Sequence, residues 1–186
     1  MNNLTRRSLI KSTLAVGTAA AWSATAQVTR RAGDRDPIVQ TVHGRVRGRA
    51  EAGVLAFRGL RYAAPPVGTL RFQPPQALTP WQDIADAGRF GAAAIQAAAQ
   101  PDMPADEQHS EDCLFLNVWT ASLQGKRPVM VWLHGGAFSM GAAGRPTYFG
   151  DHFARDGIVL VSVNHRLNVF GYTQLPESWE IGRAHV

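Results

Sequence analysis

Five residues, His134-Gly135-Gly136-Ala137-Phe138, stand immediately after the apolar run Val129-Met130-Val131-Trp132-Leu133. Two adjacent glycines at the end of a sheet strand let the backbone turn sharply and approach a ligand with no Cβ in the way. The N–H groups exposed by such a turn can point at one spot. A pair of donors aimed in this way can hold the negative oxygen that develops when an ester carbonyl is attacked. A plain strand-to-helix loop also favours glycine, so the segment taken alone supports both readings.

Other residues with reactive side chains offer less. Of the eight serines, none sits in a G-x-S-x-G pattern; Ala137-Phe138-Ser139-Met140-Gly141 comes nearest. A nucleophile elbow needs its own strand-to-helix turn, with a separate loop supplying further oxyanion donors. Were residues 134–138 that separate loop, Ser139 would not be the nucleophile. Cys113 is the only cysteine of the chain, which excludes an internal disulfide. Its place at the head of an apolar run, Cys113-Leu114-Phe115-Leu116, predicts a buried and inert thiol. The six histidines, at 43, 109, 134, 152, 165 and 185, show no paired ligand spacing, so no metal is expected.

The elements that must position these residues are legible in the hydrophobic pattern. Ile38 to Phe57 reads as small antiparallel strands, with β-formers such as Val39, Thr41 and Val46 punctuated by Gly44, Gly48 and Gly53. Ala64-Pro65-Pro66-Val67-Gly68 predicts a rigid turn. Gly91 to Gln100 is alanine-rich and predicts one short helix. Leu114 to Trp119 predicts a strand. Val129–Leu133 and Ile158–Val163 are near-continuous apolar runs bounded by turn signals, the pattern of strands covered on both faces. Between them, Tyr148 to Asp156 predicts a short helix stopped by Gly157, making a parallel strand–helix–strand crossover. Two strands covered on both faces need helices, and the 186 residues offer few. The sequence therefore reads as part of a larger α/β domain.

Composition bounds the class. At 45% hydrophobic and 18% charged residues the chain is of ordinary globular type. No apolar run reaches the roughly 18–20 residues of a membrane-spanning helix. Nineteen Lys and Arg stand against fourteen Asp and Glu, but Arg6, Arg7 and Lys11 fall in the first 27 residues, which hold no acid. Beyond that segment the balance is sixteen to fourteen, too even for a nucleic-acid surface. The same segment has its own order. Thr5-Arg6-Arg7-Ser8-Leu9-Ile10-Lys11 precedes a modestly apolar stretch, Ser12 to Ala26, ending in Ala24-Thr25-Ala26. Residues 1–26 thus resemble a twin-arginine export signal, which implies handling by the Tat machinery and a periplasmic or secreted product beginning near Gln27. The final seven residues, Glu180 to Val186, read as a foreign tail, leaving 27–179 as the folded part.

Four segments in order resemble the type-B carboxylesterase/lipase family, which includes bacterial esterases and cholinesterases. They are Phe57 to Phe72 (F-R-G-L-R-Y-A-A-P-P-V-G-T-L-R-F), Ser110 to Val118 (S-E-D-C-L-F-L-N-V), Pro128 to Gly141, and Asn164 to Tyr172 (N-H-R-L-N-V-F-G-Y). The resemblance covers roughly Val39 to Tyr172 and corresponds to the N-terminal third of that family. It implies the N-terminal portion of an α/β-hydrolase fold. It also implies a serine hydrolase of small carboxylic esters, with no cofactor, acting through a Ser-Glu/Asp-His triad. Carried over by position, the oxyanion donors are the N–H groups of Gly136 and Ala137, Gly135 allows the turn, and Phe138 and Ser139 face the substrate. Arg71 and Glu111 resemble a structural ion pair of the family.

Departures are informative. Many relatives have glycine where this chain has Ala137. Eukaryotic relatives pair the E-D-C cysteine with one near Phe90-Gly91, where this chain reads Ala92-Ala93-Ala94. His165 and Asn168 replace the usual tyrosine and glycine of N-Y-R-L-G; by family position His165 is structural rather than a catalytic base. The triad itself belongs, in family order, after Gly171. These 186 residues are therefore expected to be inactive alone, with a non-catalytic binding module of the same fold as the alternative.

Overall fold

A computed structural model describes residues 35–97 and 102–173. The expected leader (1–26), the start near Gln27 and the expected foreign tail (180–186) lie outside the described residues.

The chain begins with short strands. β1 (Ile38–Gln40) and β2 (Arg45–Arg47) form an antiparallel pair around the Thr41–Gly44 turn, and β3 (Arg49–Glu51) pairs antiparallel with β4 (Val54–Arg61). This is the antiparallel start expected from Ile38 to Phe57. The Pro65-Pro66 segment leads into a single 3-10 turn over Gly68–Leu70. β5 (Ile84–Asp86) then adds to β2 in parallel. β6 (Ala93–Ala94) pairs with β7 (His109–Ser110), and β8 (Phe115–Thr120) enters the main sheet. The crossover follows: β9 (Val129–Leu133), a 3-10 turn at Pro146–Tyr148, α1 (Asp151–Arg155) and β10 (Val159–Val163). α2 (Asn168–Tyr172) closes the described part.

The main sheet has the order β3-β4-β8-β10-β9. β9 and β10 are parallel, with Val129 opposite Val159 and Leu133 opposite Val163, so the predicted crossover forms. Gly157 ends α1 at φ 84°, the left-handed stop that glycine supplies. Along β4 and β8 side chains alternate between two faces with the strand period of two. Val54, Ala56 and Trp119 meet Leu160 and Ala154 of α1 on one face. Phe57 and Val118 meet Val46 and Ala87 on the other. β4 bulges between Phe57 and Leu60 where it pairs with β8. Gly59 sits in that bulge at φ 68°, and a Cβ there would lie 2.5 Å from the Arg89 carbonyl oxygen, so only glycine fits.

One expectation is corrected. The alanine-rich segment is extended rather than helical: its described residues contain β6 and no helix. Alanine's helix propensity, at most a few tenths of a kcal/mol per residue over its competitors, loses to side chains that bond the segment's carbonyls. Asn164 Nδ2 donates to Ala92 O (3.0 Å), Gln96 Nε2 to Ala94 O (3.1 Å) and Asn168 Nδ2 to Ile95 O (3.0 Å). An α-helix would turn those carbonyls along its own axis. β9 lies at the edge of the described sheet with its five residues 37–62% exposed, in line with the expectation that these residues offer too few helices to cover both apolar runs. α1 packs mainly on β8, β10 and β4, and the Tyr148 ring of the 3-10 turn lies 5.4 Å from that of Trp132 on β9.

A candidate oxyanion site at the end of β9

β9 delivers the chain at His134 into a tight turn over residues 136–140. The Gly136 carbonyl closes it, accepting from Ser139 N (3.0 Å), Met140 N (3.1 Å) and the Ser139 hydroxyl (3.1 Å). In a trans peptide the C=O and the following N–H point in opposite directions. A Gly136 carbonyl held inside the turn therefore sends the Ala137 N–H outward. Among the described residues neither the Gly136 N–H nor the Ala137 N–H has an acceptor.

The demand for special backbone geometry falls on Gly136, not on Gly135. Gly136 has φ 131°, and a Cβ there would come within 1.9 Å of the Met140 carbonyl oxygen. Gly135 has no positive φ, and an added Cβ would meet nothing within 4 Å. The turn continues through two left-handed non-glycine residues, Ala137 at φ 52° and Phe138 at φ 62°. Such residues cost about 1–2 kcal/mol each and persist only where the surroundings hold them.

Those surroundings are a polar framework beneath the turn. The Gln96 side-chain amide grips Gly141 from both sides, accepting from its N–H (2.8 Å) and donating to its carbonyl (3.0 Å). Asn168 donates its backbone N–H to Phe138 O (2.8 Å) and its Nδ2 to Ser139 O (3.2 Å). Beyond the turn, Ala143 is tied to the sheet. Its N–H donates to Asn164 Oδ1 (2.7 Å) and its carbonyl accepts from the fully buried Ser162 hydroxyl (3.0 Å). Ser162 accepts in turn from Asn117 Nδ2 (3.0 Å), whose Oδ1 takes the N–H of Gly59 in the β4 bulge (2.9 Å). The bulge, two central strands and the loop after the turn thus form one hydrogen-bonded unit, of the kind that rigidifies when fully satisfied.

Two imidazoles underlie the turn. The His134 and His165 rings stack with centroids 4.4 Å apart. His134 Nδ1 donates to Gly135 O (2.9 Å). His165 Nδ1 lies 3.1 Å from Arg166 O and 3.0 Å from the Tyr172 hydroxyl. A carbonyl can only accept, so Nδ1 carries the proton in His134. Burial pushes the His134 pKa below its ordinary value, against the Gly135 carbonyl, which favours the charged form. His165 is buried in this stack.

Phe138 and Ser139 are exposed at the crest of the turn, Phe138 with its ring 4.4 Å from that of Tyr172. The Ser139 hydroxyl is occupied with the Gly136 carbonyl, an arrangement that supports the turn and provides no base for a nucleophile. Cys113 is buried with Ala63, Ala94, Leu114 and Leu167, and burial pushes its thiol up to about 12, which makes it inert as a thiolate. Ala94 belongs to the extended alanine-rich segment. The expected Arg71–Glu111 pair forms with two bonds, Nε to Oε2 (2.5 Å) and NH2 to Oε1 (2.6 Å). A parallel pair, Arg61–Asp112, was not anticipated (NH2 to Oδ2, 2.6 Å). Among the described residues no group of three or more His, Cys, Asp or Glu could hold a metal ion.

The sequence profile described as the carboxylesterase family matches residues 35–180. The chain belongs to the carboxylesterase family. It is 41% identical over 142 residues to the para-nitrobenzyl esterase of Bacillus subtilis, covering 74% of this chain and 29% of that protein. It is also 41% identical over 143 residues to the phenmedipham hydrolase of Pseudarthrobacter oxydans, with 73% and 29% covered. Among solved structures, a para-nitrobenzyl esterase superposes with a TM-score of 0.76 at 35% identity, over 81% of this chain and 32% of that one. The carboxylesterase of Geobacillus stearothermophilus superposes with a TM-score of 0.70 at 41% identity, over 79% and 29%. The fold is accordingly the N-terminal portion of the α/β-hydrolase fold, and the chain spans under a third of the length of the relatives it matches.

Proposed function

We propose that the whole protein hydrolyses small carboxylic esters through a serine acyl-enzyme, and that this chain supplies its oxyanion loop. The observation that carries the reading is the pair of N–H groups, Gly136 and Ala137, without acceptors on a turn held rigid from below. A serine Oγ attacks the ester carbonyl while a histidine takes its proton. The carbonyl oxygen becomes an anion and moves into reach of the two N–H groups. Collapse expels the alcohol, which receives the proton from histidine, and water then releases the acid by the same route. Phe138 and Ser139 line the approach of the ester. The chain contains no G-x-S-x-G, so residues 1–186 alone are proposed to be inactive.

The test is hydrolysis of p-nitrophenyl esters by the whole protein, before and after one equivalent of a fluorophosphonate. The expected result is turnover abolished in step with one phosphonyl group bound per chain. Turnover that survives full phosphonylation, or no turnover with any short-chain ester, would overturn the proposal.

Export completes it. Residues 1–26 are proposed to direct the protein through the twin-arginine route, on the strength of Arg6-Arg7, the apolar stretch and Ala24-Thr25-Ala26. A folded reporter fused after residue 36 should reach the periplasm of a bacterium with that route, and R6K/R7K should retain it in the cytoplasm. Equal export of both fusions would refute the assignment.

A further inference from the structure

The geometry points to Asn168 as the positioning residue of the oxyanion turn, an inference that rests on the esterase reading and extends it. Asn168 is where this chain departs from the glycine of N-Y-R-L-G. Its backbone sits at φ 54°, a region that asparagine enters more readily than most side chains and glycine enters freely. Glycine would serve the backbone equally well. The side-chain amide is what glycine lacks, and here both its N–H donors are engaged. One goes to Ser139 O (3.2 Å) inside the turn and the other to Ile95 O (3.0 Å) in the extended alanine-rich segment. The Asn168 N–H adds a third bond, to Phe138 O (2.8 Å).

These three bonds act on the part of the turn that is least comfortable. Ala137 and Phe138 are both left-handed, and a relaxed turn would swing the Ala137 N–H away from its outward direction. Fixing the Phe138 and Ser139 carbonyls fixes the two peptide planes that follow. The Gly136 carbonyl, which bonds Ser139 N and Met140 N, is held from the other side. Asn168 touches neither substrate nor reacting atoms. It acts through the turn, and its anchor is the neighbouring segment, where Gln96 holds Gly141.

The experiment compares N168G with the unmodified whole protein. The glycine variant keeps the left-handed backbone and the bond to Phe138 O but loses the amide. Two neutral hydrogen bonds of ordinary strength correspond to a fall in kcat of about 5- to 20-fold. KM is expected to stay within about twofold, since the donors act on the transition state. The inhibition constant for a trifluoromethyl ketone, whose tetrahedral adduct presents the same oxyanion, is expected to rise by the same factor as kcat falls. Unchanged kcat and unchanged inhibition would overturn the inference. So would a loss shared by KM and melting temperature, which is the mark of a purely structural role. Amide hydrogen exchange at Ser139 and Met140 gives a reading that needs no activity. N168G should speed it about 10-fold while β8 and β10 are unchanged, and unaltered exchange would overturn the role of Asn168 even if the esterase reading had itself failed.

Discussion

Replacing Ala137 by proline in the whole protein is expected to lower kcat/KM for a p-nitrophenyl ester by about three orders of magnitude or more. The loss has two sources. Proline has no N–H, and removing one oxyanion donor typically costs about 3–4 kcal/mol of transition-state stabilisation. Proline also fixes φ near −65°, whereas Ala137 sits at φ 52°, so the turn itself cannot keep its shape. The paired variant A137G separates the two. Glycine retains the N–H and enters the left-handed region freely, relieving about 1–2 kcal/mol of strain against an unfolded-state entropy cost of about 0.4–1 kcal/mol. Turnover by A137G should stay within about threefold of the parent, with stability unchanged or raised by up to about 1.6 kcal/mol. Steady-state kinetics and urea denaturation of both variants check this. An active A137P would remove the donor role from residue 137. An inactive A137G that remains folded would assign the function to the methyl group instead.

The second large effect is expected at Trp119. Trp119 is among the largest fully buried side chains, 1% exposed, and packs with Leu160 of β10 and Phe149 just before α1. Its ring is 6.1 Å from that of Phe149 and 6.3 Å from that of Phe90. Leu160, Ala154, Val54 and Ala56 complete the cluster. W119A should cost about 3–5 kcal/mol, the sum of lost transfer energy and the cavity left behind. That is a large fraction of the roughly 5–15 kcal/mol by which domains are stable. Urea denaturation followed by circular dichroism measures it, with W119F expected to recover more than half. A loss below about 1 kcal/mol for W119A would mean that the first face of the main sheet is not packed as described.

Much of this architecture can be read from the sequence because it rests on local pattern. The run Val129–Leu133 specifies a strand by hydrophobicity and length, and Gly157 marks the end of α1 because that position needs a positive φ. Its partner relations are of another kind. Whether β9 is covered depends on elements distant in sequence, and an apolar run reads the same at an edge as at a centre. The alanine-rich segment fails for a related reason. Its own residues favour a helix, and the asparagines that hold it extended are Asn164 and Asn168, over seventy residues away. At the site, the turn after β9 is legible because glycine next to a strand end is a local signal, whereas the choice of Gly136 and Ala137 as donors comes from the family resemblance. Gln96 is hidden inside an alanine run, and Ser162 and Asn117 are hidden inside apolar strands. A buried polar residue within such a strand is itself a signal, since it must find a partner. It cannot name the partner, which here is the Ala143 carbonyl one loop beyond the turn.

Where an oxyanion lies is measured most directly by a crystal structure of the whole protein carrying a covalent trifluoromethyl ketone adduct. The adduct oxygen is expected about 2.7–3.1 Å from both the Gly136 and the Ala137 nitrogens, with the turn as described and the Asn168 amide still on the Ser139 carbonyl. An adduct whose oxygen is held by other donors, with these two N–H groups facing solvent or protein, would contradict it.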